Sequence, residues 1–342
     1  MVFLCLFYDF FTPFRVFSGG QVMVSVESGS RIDQYQIEEL VAKSATSSIY
    51  RAIDVNNGRR AALKIPHPEV AGDPLFYSRL CRERDIGKRL DHPSVVKVIA
   101  DDDASCAYLA TEWVDGRLLR YVLHEQGRLP QDRAVKLTIA ICDTLEYIHS
   151  QGVVHRDLKP ENIMILGESR IKLIDFGIAS QAGARRLTFG KLSQVMGSPD
   201  YISPEQVRGK RGDERSDTYA VGVMLYEMLT GKTPFQGNNP LAIMNSRLVN
   251  SPMPPREIDP TIPVALERIT LRALERDPQR RYVSARQLSW DLRHQDQIKF
   301  FAHLEREQGK RRGRANPLLL YGTLALIPMI IFSLLLYVAR HS

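Results

Sequence analysis

Apolar and polar positions change their pattern several times along this chain, and each change predicts an element. Ile37, Leu40, Ile49 and Tyr50 fit the two strands of a first hairpin. Ala61-Ala62-Leu63-Lys64-Ile65 is an apolar strand carrying one cation. Arg82-Glu83-Arg84 lies in a charged run of helical character. Tyr108-Leu109-Ala110-Thr111-Glu112-Trp113-Val114 reads as a last strand running into a hinge, and a helical run extends from about residue 284 to residue 307. No internal repeat and no long low-complexity tract is visible.

The ends of the chain read differently. From Pro317 to Ala339 there are 23 residues without a charge. About 20 apolar residues span a bilayer as a helix, and a soluble helix usually shows a polar face. The stretch 317–339 therefore predicts a transmembrane helix, with Pro328 as a tolerated kink and Tyr321 and Tyr337 near the two interfaces. Lys310, Arg311, Arg312 and Arg314 precede the span, while Arg340 and His341 follow it. Positive flanks stay cytoplasmic, so the expectation is a single-pass protein with residues 33–300 in the cytoplasm and no external domain. The basic linker 301–316 is suited to contact anionic membrane lipid. Met1 to Phe17 is apolar and aromatic but holds Asp9 and Arg15, and it lacks the basic start of a secretory signal. Within this 1–32 extension, the preferred reading is a translated stretch that is not native, with Met23 opening a polar lead. A peripheral hydrophobic tail and a second anchor are the alternatives.

Composition adds exclusions. The chain has 342 residues, 44% hydrophobic and 25% charged, which is ordinary for a globular protein. A net charge of +7, without an aromatic-studded basic stripe or zinc-finger spacing, does not call for nucleic acid. Cys5, Cys81, Cys106 and Cys142 lie far apart with no Cys-x-x-Cys, which suits thiols in a reducing compartment rather than a disulfide frame.

The chemistry concentrates in two short stretches. Residues 153–163 read Val-Val-His-Arg-Asp-Leu-Lys-Pro-Glu-Asn-Ile, and 174–177 read Ile-Asp-Phe-Gly. An Asp with Lys at +2 and Asn at +5, followed 18 residues on by Asp-Phe-Gly, is an arrangement for moving a phosphoryl group. Such transfer needs a positioned nucleophile and neutralised phosphate charge more than covalent help. The two stretches resemble the catalytic and metal-binding loops of eukaryotic-type (Hanks-type) serine/threonine protein kinases, in the membrane-anchored bacterial form.

The resemblance implies an α+β, bilobal protein-kinase fold with a small β-rich lobe, a large helical lobe and the C-terminal transmembrane helix. It implies that Asp157 accepts the proton of the attacking hydroxyl, that Lys159 touches the transferred phosphate, and that Asn162 and Asp175 hold Mg2+ (or Mn2+). Lys159 is the serine/threonine form of this loop. Lys64 would bridge the α- and β-phosphates of ATP and needs a partner, because an unpaired buried charge is costly; Glu83 is that partner. Glu112 and Val114 would offer backbone groups to the adenine, Thr111 would guard the back pocket and Asp115 reach the ribose. Ser203-Pro204-Glu205 stands for Ala-Pro-Glu, with Glu205 pairing Arg281. Ser198 would support Asp157 and Lys159. Arg215 to Gly222 would open a central buried helix in which Asp217 holds the catalytic-loop backbone.

One motif departs from the family pattern. Val41 and Ile49 flank the place of the phosphate-covering loop, and Ala42, Ser44 and Ser47 stand where the family has three glycines. Glycine permits a positive φ and a close backbone approach to phosphate, so a stiffer loop is expected here, with Ser44 or Ser47 offering a hydroxyl. The resemblance further implies protein Ser/Thr substrates, and activation-segment autophosphorylation at Thr188 or Ser193 with Ser180 as a further candidate. A homodimer would serve that step, and the location would be a bacterial inner membrane. The alternative is a pseudokinase scaffold with weak or no transfer.

Overall fold

The computed structural model describes residues 26–71, 73–99, 108–176, 180–181, 199–297 and 340. They fall into two compact units. The first holds the described residues up to Arg84 and from Lys97 to Trp113; the second holds Asp85–Val96 and the described residues from Val114 onward.

The first unit is built on β1 (Arg31–Ile32), β2 (Tyr35–Lys43), β3 (Ser47–Asp54), β4 (Arg60–Pro66), β5 (Val98–Ile99) and β6 (Leu109–Glu112). The strands lie in the order β1-β2-β3-β4-β6-β5, antiparallel throughout. Side chains alternate across a strand, so burying Ala61, Leu63 and Ile65 of β4 turns Lys64 to the opposite face. Tyr35, Ile37, Ala52, Tyr108 and Ala110 complete the buried face. Tyr108 meets Tyr35 edge-on at 5.9 Å and donates to Asp33 at 3.0 Å. The hairpin expected from Ile37, Leu40, Ile49 and Tyr50 forms. Register shifts between Ile37 and Glu39 and between Leu40 and Ala42 turn its first strand outward, leaving Leu40 53% exposed. The last strand runs from Leu109 to Glu112. Helices α1 (Pro68–Ala71) and α2 (Pro74–Arg89) follow β4.

The second unit is mainly helical: α3 (Leu119–Gln126), α4 (Gln131–Ser150), α5 (Pro204–Val207), α6 (Glu214–Thr230), α7 (Pro240–Val249), α8 (Pro255–Ile258), α9 (Val264–Ala273) and α10 (Ala285–Arg293). Short strands β7 (Arg117–Leu118), β9 (Ile163–Ile165) and β10 (Ile171–Leu173) form one sheet; β8 (Val153–Val154) pairs with β11 (Ser180–Gln181). Every residue of α6 from Ser216 to Thr230 is buried, and among its polar members Asp217 and Glu227 are hydrogen-bonded inside. Asp213 caps its start and Gly231, at φ 75°, ends it. At Gly222 the backbone lies close against α9: a Cβ there would stand 2.7 Å from the Ala273 Cβ.

The helical run expected from about 284 to 307 is broken in the structure. Helix α10 ends at Arg293, where the ring Nδ1 of His294 lies 2.8 Å from the Trp290 carbonyl and the two rings stack at 4.3 Å. Among the described residues no helix is long and apolar enough to cross a membrane. The predicted span 317–339, the linker 301–316 and most of the 1–32 extension lie outside the described residues.

Candidate active site

The first unit brings Lys64 and Glu83 together. The register of β4 places Lys64 beside Ile49 on β3 and Leu109 on β6. Its Nζ donates to both carboxylate oxygens of Glu83 on α2, at 3.1 and 2.9 Å. Glu83 is 5% exposed. Lys64 keeps about a quarter of its side chain exposed, so Glu83 is the member that depends on the pair: without Lys64 its buried carboxylate is left uncompensated. Glu112 ends β6, and its amide donates to the Lys97 carbonyl at 2.9 Å.

The glycine-free turn between β2 and β3 is closed by its own hydroxyls. Ser44 Oγ donates to the Ser47 carbonyl at 2.9 Å and accepts the Ser47 amide at 3.0 Å and the Thr46 amide at 3.3 Å. Ser47 is buried, while Val41, Ala42 and Ser44 are exposed. Beside it, Ser48 Oγ lies 3.0 Å from His67 Nε2, and the His67 amide donates to the Thr46 carbonyl at 2.9 Å. The expected hydroxyl for phosphate is thus engaged within the turn.

In the second unit, the loop from His155 to Asn162 is braced along its length. Asp217 on α6 accepts the His155 amide at 2.8 Å and the Arg156 amide at 2.7 Å. Arg156 stands at φ 66°, a left-handed conformation unusual for a non-glycine residue. Gln206 Nε2 donates to its carbonyl at 2.9 Å. Lys159 Nζ donates to Asp157 Oδ2 at 2.7 Å. Burial pushes the Asp157 carboxyl above the ordinary aspartate range against the pull of Lys159, and the charge of Asp175 adds to the upward shift.

Asn162 and Asp175 reach neighbouring positions through strand pairing. Ile163 lies opposite Leu173, so Asn162 faces Ile174, whose amide donates to the Asn162 carbonyl at 3.0 Å. Asp175 is the next residue. Asn162 Nδ2 donates to the Asp157 carbonyl at 2.8 Å. A carbonyl only accepts, so the amide nitrogen must face it, and Oδ1 is the side-chain oxygen that could face a cation. An amide oxygen and a carboxylate suit Mg2+, a hard ion held by a few protein oxygens together with substrate phosphates. Among the described residues no group of three or more His, Cys, Asp or Glu converges.

Glu205 and Arg281 form the expected pair, Nη1 and Nη2 donating to the two carboxylate oxygens at 2.8 and 2.7 Å. Burial would raise the Glu205 carboxyl, but the Arg281 hydrogen bonds outweigh it and hold it below the usual range. Ser198, Thr188 and Ser193, and the side chain of Ser180, lie outside the described residues. Val114 and Asp115 belong to the second unit, just before β7.

Two features have no counterpart in the sequence reading. Arg120 on α3 donates to Glu161 at 3.0 Å and to Glu227 at 2.8 Å, and both Arg120 and Glu227 bond the Tyr201 hydroxyl. Arg247 on α7 is buried and bonded to backbone. Both arginines sit in helices whose patterns mix polar and apolar residues, so nothing local marked them as interior.

The family model described as Protein kinase domain matches residues 35–291. The chain is similar to a probable serine/threonine-protein kinase of Streptomyces coelicolor, 37% identical over 76% of this chain and 39% of that protein. It is also similar to serine/threonine-protein kinase PknB of Mycobacterium leprae, at 36% identity, and of Mycobacterium tuberculosis, at 34%. Each of these two matches covers 76% of this chain and 42% of the relative. The chain thus spans 39% to 42% of the length of these curated relatives. It belongs to the protein kinase domain family, among the eukaryotic-type serine/threonine kinases of bacteria.

Proposed function

We propose that this protein is a serine/threonine protein kinase that transfers the ATP γ-phosphate to protein hydroxyls at the cytoplasmic face of a membrane. The observation that carries the reading is the Asp157–Lys159–Asn162 arrangement, in which one loop fixes a carboxylate, a cation and an amide oxygen within a few residues of each other. Asp157 orients the attacking hydroxyl and takes its proton. Its upward-shifted carboxyl is a stronger base than an ordinary aspartate once ionised. Lys159 offsets charge on the transferred phosphate, and Lys64, held by Glu83, does so for the α- and β-phosphates. Asn162 and Asp175 hold magnesium, which neutralises the phosphate charge that develops during transfer.

The membrane tether rests on the uncharged stretch 317–339 and its basic N-terminal flank. Autophosphorylation at Thr188 or Ser193 rests on Arg156, whose position before Asp157 suits a partner for an added phosphate. A scaffold without transfer is the weaker reading, because Lys64, Glu83, Asp157, Asn162 and Asp175 are all present. Phosphoamino-acid analysis of a generic protein incubated with the full chain, ATP and magnesium tests the proposal. Phosphoserine and phosphothreonine are expected; phosphotyrosine, or no labelled residue, would refute it.

A further inference from the structure

Arg247 is 1% exposed, yet both of its terminal nitrogens donate to neutral carbonyls: Nη1 to Pro199 at 2.7 Å and Nη2 to Asp200 at 2.6 Å. The guanidinium lies 5.7 Å from the ring centroid of Phe235 and 6.0 Å from that of Tyr219. Its Nε has no hydrogen-bond partner among the described residues. Burying a cation against neutral acceptors stabilises little, and an apolar residue of similar volume often does as well or better. What an apolar residue cannot do is fix two consecutive backbone carbonyls.

Those carbonyls open the 3-10 turn Pro199–Tyr201. Tyr201 bonds Arg120, which holds Glu161, the residue before Asn162. Further along, Gln206 donates to the carbonyl of Arg156, the residue before Asp157. The segment 199–206 therefore reaches both ends of the catalytic loop, and Arg247 anchors its beginning.

Resting on the kinase reading, we infer that Arg247 is a positioning residue for the protein substrate. It fixes the Pro199–Asp200 backbone, and through it the alignment of segment 199–206 with the loop that carries Asp157. It acts on how the acceptor hydroxyl is presented to Asp157.

The test compares Arg247→Met, which keeps the stem and loses both donors, with Arg247→Lys in the full chain. Arg247→Met should raise KM for a protein substrate about tenfold or more, since two hydrogen bonds from a charged group are lost, with KM for ATP unchanged. Arg247→Lys should fall between it and wild type. Amide exchange across residues 199–208 should speed up in Arg247→Met while α4 stays protected. Unchanged exchange in a folded variant, or equal rises in both KM values, would overturn the inference. Should Arg247→Met lack a cooperative melt, Arg247→Lys carries the same comparison. A wild-type chain without transfer sinks the kinase reading, and the exchange measurement still decides the role of Arg247.

Discussion

Asp217 accepts the backbone N–H of Arg156 at 2.7 Å, and Arg156 stands in a left-handed conformation at φ 66°. Holding a non-glycine residue there costs about 1–3 kcal/mol, and Asp157 is the next residue. The buried carboxylate also takes the His155 amide, so it offsets the strain at the point where the catalytic loop begins. Asp217→Asn keeps the volume and removes the charge. Denaturant melts should show a loss of about 1.5–3 kcal/mol, the range for hydrogen bonds to charged groups. An unchanged midpoint would mean that the charge is not what holds the loop.

The same carboxylate makes stability depend on pH. Burial favours the neutral His149 imidazole, but the hydrogen bond and charge of Asp217, 2.8 Å away, outweigh it and the imidazole titrates above its ordinary 6.5. Asp217, which burial alone would raise, is held below its ordinary 3.8 by His149. The His149 contribution is complete below pH 6.5 and is lost as pH rises through the raised value. That of Asp217 is complete above pH 3.8 and is lost as pH falls through the depressed value. The Tm difference between wild type and His149→Gln should therefore be largest at mildly acidic pH and shrink towards alkaline pH. A difference that grows with pH would reverse the assignment.

Arg281 shows how much one buried acceptor can carry. Its side chain is fully buried, and Glu205 supplies both of its carboxylate contacts. Glu205→Gln leaves that charge without compensation and should destabilise the chain by about 3–5 kcal/mol. A thermal melt within a degree or two of wild type would contradict this.

Ser44 distinguishes two accounts of the glycine-free turn. Its hydroxyl closes the turn on Ser47, so the loop is preorganised rather than crowded. Ser44→Ala removes the hydroxyl and keeps the Cβ. The Kd for ATP with magnesium should rise about two- to tenfold, the equivalent of one neutral hydrogen bond. Unchanged affinity in Ser44→Ala with tighter binding in Ser44→Gly would show crowding instead.

Legibility of the fold and site in the sequence followed the range of the interactions. Asp157, Lys159, Asn162 and Asp175 lie in short stretches whose order alone suggests phosphoryl transfer, and Lys64 in an apolar strand calls for an acid such as Glu83. The Glu205–Arg281 pair was reachable because both ends sit in recognisable motifs. Arg247 and the Arg120–Glu161–Tyr201–Glu227 group were not, since a helical arginine looks solvent-facing until the partners beneath it are known. Leu40 fell in the expected hairpin, but its exposure was not legible, because two register shifts, invisible in the spacing, turn β2 outward. The helix end at His294, where the ring stacks on Trp290 and its Nδ1 meets the Trp290 carbonyl, is not marked by propensity.

The central claim is that Asp157 serves phosphoryl transfer to protein hydroxyls. Labelled phosphate passing from ATP to a generic protein substrate, compared between wild type and Asp157→Asn at equal folded concentration, tests it most directly. The substitution keeps size and removes the base, so incorporation should fall by about 10²–10⁴-fold, the contribution of a general base. Equal incorporation by the two proteins would contradict the assignment.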